Sequence, residues 1–319
     1  MKEKNLKVEK KLVSVNTSKV PTLRVARQSK GKESSLSGEA LVVSIIGIGL
    51  IGGSLALALK EKKIANIIIG VDDNELHQQQ ALQLGLVDKI ADINSAIEEA
   101  DLIILSVPVD EVRRLLPGIL NKVKKQVVME VGSTKNAVCA LAKQTTGYKR
   151  FVATHPMWGT EFSGPTAAVT GAFVNKAVVI CNKENADADA VEMVEKIYRA
   201  LNMHIIYMHA DAHDLHAAYI SHISHITSFA LANTVLEKEK EDDAIFELAS
   251  AGFESTVRLA KSTASTWVPI FMENRENVLD VLNEHISQLR KFKSCLEKEN
   301  VEYLKELIEH ANTITRILK

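Results

Sequence analysis

Cysteine is scarce in this chain. There are three in 319 residues, Cys139, Cys181 and Cys295, widely spaced and with no CxxC pair. That argues against a disulfide framework and a cysteine zinc site, and it suits a reducing cytoplasm. Net charge is almost absent too, at −1 from 39 basic and 40 acidic residues. So balanced a chain carries no basic footprint for nucleic acid or for an anionic membrane. No apolar run reaches the ~20 residues that span a bilayer. Residues 1–39 are rich in Lys, Ser and Glu and hold no signal-peptide core, while Glu3, Glu9, Glu33 and Glu39 count against an acidic-poor transit peptide. This segment reads as a disordered or loosely docked tail. What is left is an ordinary globular composition, 46% hydrophobic and 25% charged, long enough for two domains.

The stretch from Leu41 to Lys60 runs LVVSIIGIGLIGGSLALALK. An apolar run, a Gly47-x-Gly49-x-x-Gly52 turn and an apolar helical segment make the strand–turn–helix opening of a dinucleotide-binding unit. The first glycine makes the tight turn, the second admits a pyrophosphate, and the third lets helix and strand pack closely. Gly47, Gly49, Leu50, Ile51 and Gly52 are therefore candidate cofactor contacts, with the pyrophosphate on the free N–H groups of the helix start. A second buried strand ends at Asp72, roughly 20 residues past the last motif glycine, where a carboxylate accepts from a ribose 2′-hydroxyl. The next residues are Asp73, Asn74 and Glu75, with no Arg or Lys for a 2′-phosphate, so NAD is favoured over NADP. A strand-capping Asp is the plainer alternative. The strand 101–107 stops at Ser106-Val107-Pro108, and strand ends of this kind face the ligand crevice of a doubly wound sheet.

Short β-rich runs alternate with helical segments from Leu41 onward, which implies βαβ units, a parallel sheet and an α/β class. Strands are expected at 41–46, 66–71, 101–107, 126–131, 150–154, 176–181 and 204–208. Helices are expected at 53–62, 74–84, 94–99, 110–121, 134–143 and 186–201. Beyond about residue 209 only helices are expected: 211–237, 241–261, 264–272, 274–298 and 299–318. The division is a Rossmann NAD-binding domain over 40–208 and an all-helical substrate and dimerisation domain over 209–319.

Several residues could carry chemistry. Ser133 follows a strand and Gly132 in a plausible ligand-facing loop, although a helix N-cap explains it as well. His155 closes another strand between backbone constraints, and an imidazole there can exchange a proton near neutral pH. Six histidines cluster at 204, 209, 213, 216, 222 and 225. On one straight helix His209, His213 and His216 share a face, and His222 and His225 fall roughly opposite. Five therefore could not converge on one ion, although a set built from His213, Asp214 and His216 stays open. Residues 217–235 are apolar nearly all round, so a buried helix is expected. Arg258 needs an anionic partner, either a protein carboxylate or a substrate carboxylate.

Together these residues resemble the prephenate/arogenate dehydrogenase family, through GIGLIGGSLA, the SVP strand end, EVGSTK, HPMWGTEFSG, HDLHAAYISHISH, GFESTVRLA and TWVPIFMEN. The resemblance runs from about Leu41 to near Asn277. It implies an NAD-dependent, metal-free oxidative decarboxylation of prephenate to 4-hydroxyphenylpyruvate in tyrosine biosynthesis, by a cytoplasmic homodimer. Hydride leaves C4, the C4 hydroxyl loses its proton, carbon dioxide leaves C1, and aromatisation drives the reaction. By similarity His155 takes the hydroxyl proton and Ser133 orients it, while Arg258 binds a carboxylate. Thr160, Glu161, His222, His225 and Trp267 match pocket positions, with Trp267 placed to reach a partner subunit's site. The chain departs from the family at Ser221-His-Ile-Ser-His225, which lacks a proline, at Ala251-Gly-Phe-Glu254-Ser255, which lacks an Arg and an Asp, and at Trp158. These departures bear on the choice of substrate. Arogenate is the close alternative, with Glu161 or Glu254 facing its ammonium. A non-catalytic NAD-sensing dimer or another two-domain dehydrogenase would leave more of these motifs unexplained.

Overall fold

The computed structural model describes residues 41–240 and 247–317. The expected tail over 1–39 lies outside them. Eight strands form one sheet in the order β3-β2-β1-β4-β5-β6-β7-β8. They are β1 (Leu41–Ile46), β2 (Ala65–Val71), β3 (Lys89–Ile90), β4 (Leu102–Leu105), β5 (Val127–Glu130), β6 (Phe151–Pro156), β7 (Ala177–Cys181) and β8 (His204–Met208). Helices fill the connections: α1 (Leu50–Glu61), α2 (Glu75–Gln83), α3 (Ile93–Glu99), α4 (Val109–Leu120), α5 (Asn136–Ala142) and α6 (Ala188–Ala200). The central strands are continuously apolar because both faces are covered, β4 and β5 being buried throughout.

The sheet is not parallel throughout. β7 runs antiparallel to β6, and β8 follows β7. The reversal lies where the chain leaves β6 without a crossover helix: residues 157–176 make only turns and one 3-10 segment before β7 begins. Without a helix to carry the chain back to the far edge, the next strand returns alongside. The two-residue β3 is too short to give a periodic signal.

The helical half begins with α7 (Ala210–Ala217), which continues through a π-helical segment, Ala218–His222, into α8 (Ile223–Glu239). Then follow α9 (Ala251–Val257), α10 (Ala264–Glu273), α11 (Arg275–Glu297) and α12 (Val301–Asn312). The helix expected over 241–261 does not run its length. Residues 241–246 lie outside the described part, and Ser250 is extended at φ −109°, ψ 171°.

Two further expectations fail here. The π segment turns the helix more slowly than 100° per residue, so His213 and His222 come to the same region instead of opposite faces. Nor is the apolar helix buried. Within α8 only Ser228 is buried, and Ile220 and Leu236 are exposed. An apolar helix that its own chain leaves bare needs cover from elsewhere.

Candidate active site

The carboxyl ends of the six parallel strands gather every candidate in the first half along one edge. Gly47 follows β1 at φ +91°, a conformation that L side chains rarely adopt, and a Cβ there would lie 2.7 Å from Val107 Cγ1. Gly52 sits so close to the turn that its Cβ would fall 2.1 Å from the Gly47 carbonyl oxygen. Gly49, at the N-cap of α1, has nothing within 4 Å on its open side. The first-turn N–H groups of Leu50 and Ile51 have no intrahelical acceptor and border the same space. Close packing beneath the turn and open space above it fit a pyrophosphate.

Asp72 ends β2 with both oxygens in use. Oδ2 accepts from the Ile48 N–H at 2.9 Å and Oδ1 from the Asn74 N–H at 3.0 Å, while His77 Nδ1 stands at 3.4 Å. The strand-capping alternative is thus realised, and the carboxylate keeps lone pairs for a ribose hydroxyl. Ser106 is committed below the turn, donating to the Gly47 carbonyl at 2.6 Å. Val107 packs against the buried core and Pro108 caps α4. Ser106 and Val107 thus pack against the nucleotide turn.

His155 lies inside β6, next to β5, whose continuation is Gly132 and Ser133. Its Nδ1 is 2.8 Å from His213 Nε2, and His213 Nδ1 is 2.8 Å from Asp214 Oδ1. Asp214 is buried and caps the start of α5, accepting from the Lys135 N–H at 2.7 Å and the Asn136 N–H at 2.8 Å. These contacts assign the protons. A carboxylate can only accept, so His213 carries its proton on Nδ1 and its Nε2 is a lone pair. His155 must then donate from Nδ1, which leaves its Nε2 unprotonated, and Nε2 makes no hydrogen bond within the described residues. Burial, then the neighbouring His213, Lys135 and His222, hold His155 well below the ordinary histidine range. Burial also lowers His213, with Asp214 opposing. Both rings are neutral at pH 7.

Beneath this chain lies a buried ion pair, Lys135 with Glu130, at the two ends of the loop that holds Ser133. Glu130 also accepts from the Gly132 N–H at 2.8 Å. Thr134 donates to Glu273 at 2.6 Å and ties the loop to α10. Ser133 itself is half-buried.

The other candidates come from the helical half and the loop after β6. Arg258 binds Glu161 at 3.0 Å, so the protein carboxylate takes that guanidinium here. The Glu161 backbone N–H and then Arg258 hold that carboxyl below the usual range. Thr160 is exposed on the same loop. His222 is fully buried, and His225 stacks on Trp267 at 3.4 Å between ring centroids. Trp267 thus shares one aromatic cluster with His222, His225 and Phe271. Trp158 packs edge-on against Phe173 at 5.5 Å, against the core.

Sequence reading missed the structural partners of this site: Glu130, Lys135, His213 as a relay, Asp214 and Asn274. A signal was available in EVGSTK and HDLH, since charged residues inside apolar stretches must find partners when buried. Among the described residues no group of three or more His, Cys, Asp or Glu is placed to hold a metal, and His213 and Asp214 are bound to each other.

Comparison with known proteins gives the family. Residues 55–207 match the family model described as prephenate dehydrogenase, nucleotide-binding domain, and residues 209–310 match prephenate dehydrogenase, dimerization domain. A prephenate dehydrogenase of Bacillus subtilis is 31% identical over 266 residues, covering 82% of this chain and 72% of that protein. A cyclohexadienyl dehydrogenase of Zymomonas mobilis is 30% identical over 280 residues, covering 87% and 96%. The crystal structure of A. aeolicus prephenate dehydrogenase with hydroxyphenyl propionate and NAD+ superposes with a TM-score of 0.81 at 27% identity, covering 89% of this chain and all of that one. With both domain models matched in order and relatives of this identity over most of its length, the chain belongs to the prephenate dehydrogenase family.

Proposed function

We propose that this chain oxidatively decarboxylates prephenate to 4-hydroxyphenylpyruvate with NAD. The observation that carries the reading is the Asp214–His213–His155 chain, which leaves a neutral imidazole with a free Nε2 at the carboxyl edge of the sheet. Bound nicotinamide supplies the hydride acceptor, and the Gly47–Gly52 turn with Asp72 would hold the dinucleotide. His155 Nε2 takes the C4 hydroxyl proton, and His213, backed by Asp214, stabilises the imidazolium that forms. Ser133, on the adjacent strand end, orients the hydroxyl. Arg258 is the anchor for a substrate carboxylate, which must then exchange with Glu161. Thr160 and Glu161 belong to the loop that closes this side, and His222, His225 and Trp267 line the pocket.

Arogenate is the second reading, because the exchange that puts a substrate carboxylate on Arg258 frees Glu161 to meet an ammonium. Absence of a nearby Arg or Lys after Asp72 supports NAD, as does the NAD+ complex of the A. aeolicus relative. We assign 40–208 to the nucleotide-binding domain and 209–319 to the helical domain. The bare faces of the latter, including Leu289, Leu296 and Val301, support a homodimer. The test is NADH formation at 340 nm with prephenate and arogenate in parallel. Turnover of arogenate alone would overturn the substrate choice, and silence with both would overturn the reaction.

A pH dependence follows. His155, His213 and His222 all protonate less readily here than in an unfolded chain, whose histidines titrate near ~6.5. Below that value the unfolded state binds more protons, so stability is present above it and is lost as pH falls. The midpoint temperature is expected to hold from about pH 8 to about 7 and to drop steadily toward about pH 5. Activity should fall on the acid side only. A loss of kcat/KM between about pH 7 and 8 would contradict a neutral base.

A further inference from the structure

Asn274 joins α10 to α11, is 4% exposed, and has every polar atom of its side chain in use. Nδ2 donates to the Asp214 carbonyl at 2.7 Å and lies 3.2 Å from His222 Nδ1, while Oδ1 accepts from Asn277 Nδ2 at 2.7 Å. A main-chain carbonyl can only accept, so the amide orientation is fixed. The second hydrogen of the same amide is then directed at His222 Nδ1, which must be a lone pair. The neutral ring therefore carries its proton on Nε2. Burial keeps it neutral, lowering its pKa to about 4.

That Nε2–H is the informative atom. It is fully buried and finds no hydrogen-bond partner among the described residues. Its neighbours are the rings of Trp267 and Phe271, at 6.0 and 6.4 Å between centroids. A buried donor without an acceptor is uncommon and marks a place where a ligand or a water can supply one. His222 is joined to the His155 site through Asn274, the Asp214 carbonyl and the adjoining His213.

We propose that Asn274 is a positioning residue that locks His222 as a hydrogen-bond donor to the substrate's C4 hydroxyl oxygen, opposite the acceptor His155. This rests on the reaction proposed above. One residue sets both histidines: the Asp214 carboxylate acts through His213 to make His155 the acceptor, and the Asp214 carbonyl acts through Asn274 to make His222 the donor. A hydroxyl donates one hydrogen bond and accepts others, so the pair reads it from both sides and aims its proton at His155. As the proton leaves, the same donor remains on the developing carbonyl oxygen.

Two variants and one spectrum test this. In Asn274→Asp the new carboxylate accepts from His222 Nδ1 and removes the enforced donor. We expect kcat to fall about 10- to 100-fold with KM within about twofold. His222→Gln, which keeps a donor, should retain more activity than His222→Leu. Long-range proton–nitrogen correlation of ring-labelled full-length protein, with His222 identified by its loss in His222→Gln, should show the Nε2–H tautomer at pH 7 without substrate. An Nδ1–H tautomer, or a loss confined to KM, overturns the proposal. If the wild type turns over no cyclohexadienyl substrate, the reaction reading fails, while the spectrum still reports on the tautomer.

Discussion

Replacing His155 with Asn lowers kcat by about 10²- to 10⁴-fold, the range a positioned general base supplies, and leaves NAD affinity unchanged. The asparagine amide can donate to His213 Nε2 as the His155 Nδ1–H does, so the relay and the fold keep their partners. What it lacks is a group with proton affinity at the Nε2 position. The nucleotide turn hangs on β1, β2 and β4, across β5 from His155, so it does not sense the change. Single-turnover rates with isothermal titration of NAD on the same sample separate the two effects. Parallel loss of turnover and NAD binding would remove the base assignment.

Lys135→Met unfolds the protein more readily, by about 3–5 kcal/mol at pH 7. Lys135 and Glu130 are 0% and 1% exposed in their side chains, and truncating one partner strands the other's charge in apolar surroundings. Burial already raises the Glu130 carboxyl, with Lys135 opposing; without the lysine it folds protonated. The unfolded carboxyl ionises near ~4.3, so the cost of the variant grows as pH rises above that and is relieved on acidification. At about 2–4 °C per kcal/mol the midpoint drops by roughly 10 °C. Adding Glu130→Gln should recover most of it. A double variant as unstable as the single one would show that packing, not charge, is what the pair contributes.

Local patterns carried much of this structure in the sequence. The GxGxxG turn with Asp72 located the nucleotide edge, and apolar runs located the long strands to within about two residues. His155 was legible because a histidine closing a strand is chemically conspicuous. The relay was not, because His213 and Asp214 lie 58 and 59 positions away along the chain, and their meaning depends on which strand end they reach. The reversal at β7 was equally hidden: an apolar strand looks the same in either direction. The helical histidines were misplaced for a single reason, that 100° per residue does not hold through a π segment. Arg258 was left between two partners by sequence, and Glu161 takes it here.

The helix that crosses from the first half to the second has a mechanical consequence. Because β8 runs downward, α7 starts beneath the sheet, climbs past His155 and continues as α8 without a loop. The two halves thus share an axle instead of a tether. Cleft opening for substrate entry and product exit cannot swing freely on a linker. Any change in the angle between the halves has to twist or bend this helix, whose π-helical break, Ala218–His222, carries His222 itself.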